Sequence, residues 1–117
     1  MDGHDGMAHA QRAERIRSLN DQLRTTGHGG SIYLTAAVAG LATCAVGRLM
    51  SEIQQFADFT ADNDPWGEHD FGKVELDGAP YFWKIDAYDQ NLEFGSPDSA
   101  NPEVTRRVMT IMTASDL

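Results

Sequence analysis

The segment KVELDGAPYFWKIDAY, residues 73–88, restricts the fold more than any other part of the chain. Val74 and Leu76 alternate with polar neighbours, Asp77-Gly78 follows, and Tyr81, Trp83 and Ile85 alternate on the far side. An Asp-Gly pair between two alternating runs marks a two-residue hairpin, because both central positions must accept positive φ. An antiparallel hairpin over residues 73–88 is therefore predicted. Every other element has to pack on it or beside it.

Helical spacing supplies the rest. Ala13, Ile16, Leu19 and Leu23 make one stripe over residues 8–25, and the glycines of TGHGG at 26–30 stop it. SIYLTAAV, residues 31–38, alternates as a strand. A second helix over residues 41–57 has the cleanest stripe: Ala42, Ala45, Val46, Leu49, Ile53 and Phe56. LEF at 92–94 reads as a short strand. Asn101, Pro102 and Glu103 form a helix start, and Val104, Val108, Ile111 and Met112 would share one face of a third helix. A chain of 117 residues is one domain by size. The expectation is a flexible leader over 1–8, then a single α+β domain over 9–117. Its antiparallel sheet of three to four strands would carry about three helices on one face.

Charge divides the chain. Residues 1–56 hold five acids and five arginines, whereas residues 57–103 hold twelve acids against Lys73 and Lys84. That acidic segment would be repelled by nucleic acid and by anionic lipid, so direct binding to either is excluded as an expectation. It suits a basic partner. The single cysteine, Cys44, permits no internal disulfide and no multi-thiolate zinc site, in keeping with a cytoplasmic protein. The first residues lack the apolar core of a signal peptide, and no run is long and apolar enough to span a bilayer.

The densest acids lie in DFTADNDPWGEHDFG, residues 58–72. An EF-hand register from Asp62 places Asp64, Gly67 and Asp70 suitably but puts Trp66 and Lys73 where ligands belong, so that loop type is rejected. Looser coordination of a divalent cation by Asp62, Asp64, His69 and Asp70 is the metal reading. An acid–base reading would have His69 oriented by Asp70 or Asp86. No nucleophile accompanies it: Cys44 lies in the apolar helix, Ser96 has no elbow motif, and GHGG precedes a strand rather than a helix. The structural reading is as strong, since Asp, Asn, Pro65, Gly67 and Gly72 are turn formers. Tyr81, Phe82 and Trp83 are core and sheet residues by pattern. Trp66, an aromatic among acids, has the character of a protein-contact anchor.

The stretches LTAAV, FADFTADNDPWGEHDFG, YFWKIDAYDQNLEFGSPD and NPEVTRRVMTIM resemble the small alphaproteobacterial proteins of the domain-of-unknown-function family number 3768. The resemblance runs from about residue 15 to residue 112. It implies a stand-alone cytoplasmic domain, often carried on plasmids and other mobile elements, and it brings no catalytic residues with it.

Two functions follow as expectations. The first is a non-catalytic acidic binding protein that occupies the basic nucleic-acid groove of a partner, as a mobile-element inhibitor of the anti-CRISPR or anti-restriction type would. It needs no cofactor. Its contacts would be Asp58, Asp62, Asp64, Glu68, Asp70, Asp86, Asp89 and Glu93, with Trp66 as anchor. The alternative is a metal-assisted hydrolase built on residues 58–72, with a divalent cation on Asp62, Asp64, His69 and Asp70.

Overall fold

A computed structural model describes the backbone of residues 3–117 and the side chains of residues 8–117. In chain order it contains α1 (Gly3–Thr26), β1 (Ser31–Leu34), α2 (Ala36–Ala39), α3 (Thr43–Gln54), β2 (Phe71–Leu76), β3 (Ala79–Tyr88) and β4 (Arg106–Thr113). Short 3-10 turns cover Pro102–Val104 and Ala114–Asp116. The class is α+β. Helical backbone begins at Gly3, inside the stretch expected as a leader.

The predicted hairpin is present. Val74 faces Tyr81 and Gly72 faces Trp83 across β2 and β3. Asp77 and Gly78 have φ of 54° and 83°, the paired positive values of a type I′ turn. Arg48 of α3 grips this turn by a bidentate pair, its Nη1 and Nη2 donating to Asp77 Oδ1 and Oδ2 at 3.2 and 3.0 Å. The Arg48 guanidinium holds the Asp77 carboxyl below its usual range.

The sheet order is β1-β4-β3-β2. β3 pairs antiparallel with β2 and β4, while β1 runs parallel to β4, so the sheet is mixed rather than purely antiparallel. The third helix expected near the C-terminus is a central strand. Its start signal does act locally: Asn101 Oδ1 accepts the Glu103 N–H at 2.9 Å, with Pro102 in the first position. The helix stops after one 3-10 turn because the following residues are claimed on both sides, by β1 and by β3. A central strand buries residues on both faces, which blurs the period-2 signal and lets Val104, Val108, Ile111 and Met112 mimic a helical stripe.

Two smaller expectations also change. Leu92–Phe94 forms a turn, bounded by an isolated bridge between Tyr88 and Gly95. β1 ends at Leu34, after which Thr35 N–H donates to Ile111 O at 3.0 Å and residues 36–39 coil into one helical turn.

The helices cover one face of the sheet. Leu23 of α1, Val38 of α2, and Leu49 and Ile53 of α3 join Val74, Trp83, Ile85, Met109 and Ile111 in one core. Trp83 is fully buried and meets Phe56 edge-on at 5.6 Å. Its indole lies over Gly72, where a Cβ would sit 2.5 Å from Nε1, so only glycine fits there. The opposite face carries Tyr33, Phe71, Phe82, Lys84 and Tyr88 and, among the described residues, has no α-helix over it. Among the described residues no helix is long and apolar enough to cross a membrane.

Candidate functional site

The acid-rich loop links α3 to the edge strand β2, as its position in the sequence implies. Its shape comes first from its own short polar residues. Asn63 Oδ1 accepts the Thr60 N–H at 2.9 Å, and Asn63 Nδ2 donates to Asp58 O at 2.8 Å. Asp64 N–H closes onto Thr60 O at 2.8 Å, and Gly67 (φ 68°) turns the chain back. Asp64 Oδ1 then accepts the N–H groups of Glu68 and His69, both at 3.1 Å. These are side-chain turns of the kind Asp and Asn favour.

α1 fixes the loop from outside. Arg17 Nη1 donates to Gly67 O at 2.8 Å and Asn20 Nδ2 to Glu68 O at 2.9 Å. His69 Nδ1 lies 2.9 Å from Asp21 Oδ1. Arg24, buried in the next turn of α1, donates from Nη1 to the carbonyls of Ile53, Gln54 and Phe56 and from Nη2 to Asp21. It thereby satisfies the carbonyls that end α3 and sets the start of the loop. Residues 17, 20, 21 and 24 form a polar stripe beside the apolar one. Their i, i+3, i+4, i+7 spacing was visible in the sequence, but what the stripe would face was not.

His69 has an unusual setting. Its φ is 53°, and its ring stacks on Phe59 with centroids 3.6 Å apart and 5° between planes. Nε2 faces Asp64 Oδ2 at 3.5 Å. The expected partners Asp70 and Asp86 are replaced by Asp21 and Asp64. A carboxylate thus stands beside each nitrogen, that of Asp21 within hydrogen-bonding distance. The group acts as a clasp between the loop and α1.

The nine residues expected to contact a partner do not share one role. Asp58, Asp62, Asp70 and Glu93 are exposed, and Trp66 stands 79% exposed. Asp64 points inward, its side chain only 6% exposed, and has no carboxylate to offer. Asp89 Oδ1 accepts the Asn91 and Glu93 N–H groups at 3.1 Å, closing its own turn. Asp86 sits on the open sheet face, 3.3 Å from Lys84 Nζ.

Glu68, Asp70 and Asp86 do converge. They line a cleft of about 200 Å³ with Asn20, Ser99 and Arg107. Arg107 is buried, its Nε donating to Asn20 Oδ1 at 2.8 Å and its Nη2 to Ser99 O. Burial and the Asp70 charge raise the Glu68 carboxyl above the ordinary carboxylate range. Partial desolvation of its carboxyl at the cleft also raises Asp70, although the residue as a whole is exposed, and repulsion from Asp64 and Asp86 adds to it. Of the three, Asp86 has an ion pair with Lys84, and Glu68 and Asp70 have none among the described residues. The metal set does not assemble: among the described residues no three His, Cys, Asp or Glu side chains are grouped to hold an ion. Cys44, expected beside the apolar stripe, is exposed on α3.

The profile of the family described as "Protein of unknown function (DUF3768)" matches residues 34–116, well over half of the chain. The chain belongs to this family. The DUF3768 match begins at Leu34 rather than near residue 15, so it contains the acidic loop, the hairpin and β4 but leaves out α1. The clasp between His69 and Asp21 therefore joins the family's region to a helix outside the match. No curated protein matches the chain, and no solved structure does.

Proposed function

We propose that this chain is a non-catalytic binding protein whose acidic loop occupies the basic nucleic-acid groove of a partner protein. One observation carries the reading. Asp58, Asp62, Glu68 and Asp70 sit on a loop held in place by α1, and none of the four makes an ion pair among the described residues. Carboxylates fixed in this way stand in for the phosphates of a nucleic acid, and docking releases the counterions of both surfaces. Trp66, projecting from the same loop, supplies an apolar anchor.

The finer form of the proposal is an inhibitor of a host-defence nuclease, of the anti-CRISPR or anti-restriction type. Its support is the carriage on mobile elements that the family resemblance implies. The test is capture of partners from host lysate at low and high salt by the wild type and by a charge-reversed variant, Asp58→Lys, Asp62→Lys and Asp70→Lys combined. Asp64 is left intact because the loop folds around it. Capture should fall steeply with salt and in the variant. Capture indifferent to both sinks the proposal.

A further inference from the structure

The open face of the sheet holds a groove of opposite character to the acidic loop. It measures about 460 Å³ and is lined by the Gly29-Gly30 loop, Ser31 and Tyr33 of β1, Leu92, and Arg106 and Val108 of β4. That volume falls in the range of small-molecule sites. In a chain with eighteen acids, no carboxylate lines this groove. Arg106 is exposed, and among the described residues its guanidinium has neither a hydrogen bond nor an ion pair. Its neighbour Arg107 contributes to the lining too, but its guanidinium is bound on the opposite face through Nε and Nη2, as strand alternation requires.

Other residues lining the same space carry donors. The Ser31 hydroxyl and the N–H groups of Gly29 and Gly30 have no partner among the described residues. Gly29 takes φ 91°, and a Cβ at Gly30 would lie 2.4 Å from Arg107 O. This loop can therefore hold its course against β4 only with glycines. Around these donors stand apolar surfaces that a folded chain normally covers: Tyr33 at 57% and Leu92 at 44% exposure.

We infer that this groove is a binding site for a small ligand with a flat apolar body and one anionic group, the anion on Arg106 and the Gly29-Gly30 amides, the body against Tyr33 and Leu92. Charge complementarity selects the anion: an unpaired guanidinium in an acid-free groove is a favourable place for negative charge on a surface that otherwise repels it. The planar fork of arginine suits phosphate and carboxylate alike. The site lies across the sheet from the acidic loop and does not depend on the proposed partner.

The experiment titrates the full chain, labelled with nitrogen-15, with adenosine 5′-monophosphate in one arm and indole-3-acetate in the other. Saturable shifts of the Gly29, Gly30 and Tyr33 amides at or below about millimolar concentration support the site, and the arm that responds identifies phosphate or carboxylate. Arg106→Ala should weaken binding at least about tenfold, while Arg106→Lys, which keeps the charge without the fork, should recover part of it. Arg106 is exposed, so both variants should retain the wild-type circular dichroism spectrum. Absence of saturable shifts in both arms, shifts that map elsewhere, or undiminished binding by Arg106→Ala overturns the inference.

Discussion

The loop before β2 and the turn after β3 are both rich in acids, and both use an aspartate to collect backbone N–H groups. Asp64 Oδ1 takes those of Glu68 and His69, and Asp89 Oδ1 takes those of Asn91 and Glu93. The surroundings differ. The first loop is gripped by Arg17, Asn20 and Asp21 of α1, and Arg24 beneath it holds the end of α3. The second closes largely on itself, with one outside contact from Gln90 Nε2 to Glu103 O, and Phe94 beside it is left largely exposed. Local turn chemistry is enough to bend an acidic segment. Long-range contacts are what hold carboxylates at fixed positions, which a mimic of phosphates requires.

Removing the support should break this contrast with the largest effect. Arg24→Ala strips a buried guanidinium from three carbonyls, of which only that of Ile53 keeps a backbone partner, the Phe56 N–H. A loss of about 3 kcal/mol or more in urea denaturation is expected. Loop amides from 60 to 69 should exchange faster, toward the behaviour of the 89–94 turn. Unchanged exchange in the loop would show that α1 does not hold it.

The two aspartates allow a direct comparison. Asp64→Ala should destabilise by about 1–3 kcal/mol, because its carboxylate is buried and serves two amides and His69. Asp89→Ala, on a turn that water reaches, should lose less than about 1 kcal/mol. Equal losses in denaturation curves would remove the distinction between the two regions.

His69→Ala should have an intermediate effect, about 1 kcal/mol, through loss of the Phe59 stack and the Asp21 contact. His69→Gly should lose less, since glycine relieves the strain at φ 53° that alanine keeps. The measurement is a denaturation series of the two variants, with glycine expected to be the more stable.

The smallest effect has the opposite sign. Glu68 and Asp70 have folded-state pKa values raised chiefly by burial. Their protonated forms favour the fold, so the stability they contribute is present below the ordinary carboxylate range and is lost as pH rises through the raised values. Glu68→Gln with Asp70→Asn should therefore stabilise the protein at neutral pH, by no more than about 0.5 kcal/mol after solvent screening, and the gain should vanish in acid. The same pair should weaken capture of a basic partner. Stabilisation without weakened capture would separate the cleft from the proposed function.

Part of the site was legible beforehand. Trp66 is exposed and Trp83 buried, as an aromatic among acids and an aromatic in an alternating strand respectively imply. The acids were found but not sorted: Asp64 faces inward and Asp86 joins Glu68 and Asp70 from β3 rather than from the loop, because hydration and burial depend on what packs over a carboxylate. The α1 residues that hold the loop were missed. Asp21 lies 48 positions from His69, and nothing local to either announces the other.

What the sequence determined alone is what short-range physics dictates. The Asp77-Gly78 turn needs positive φ twice, α3 repeats its apolar residues every three to four positions, and Asn101-Pro102-Glu103 starts a helical turn. The tertiary structure decided the rest. Residues 106–113 carry a pattern compatible with helix or strand, and they became β4 because both β1 and β3 offered unpaired backbone groups beside them. A strand in that position satisfies two ladders and buries Met109 and Ile111 on one side and Met112 on the other, which a helix there could not do.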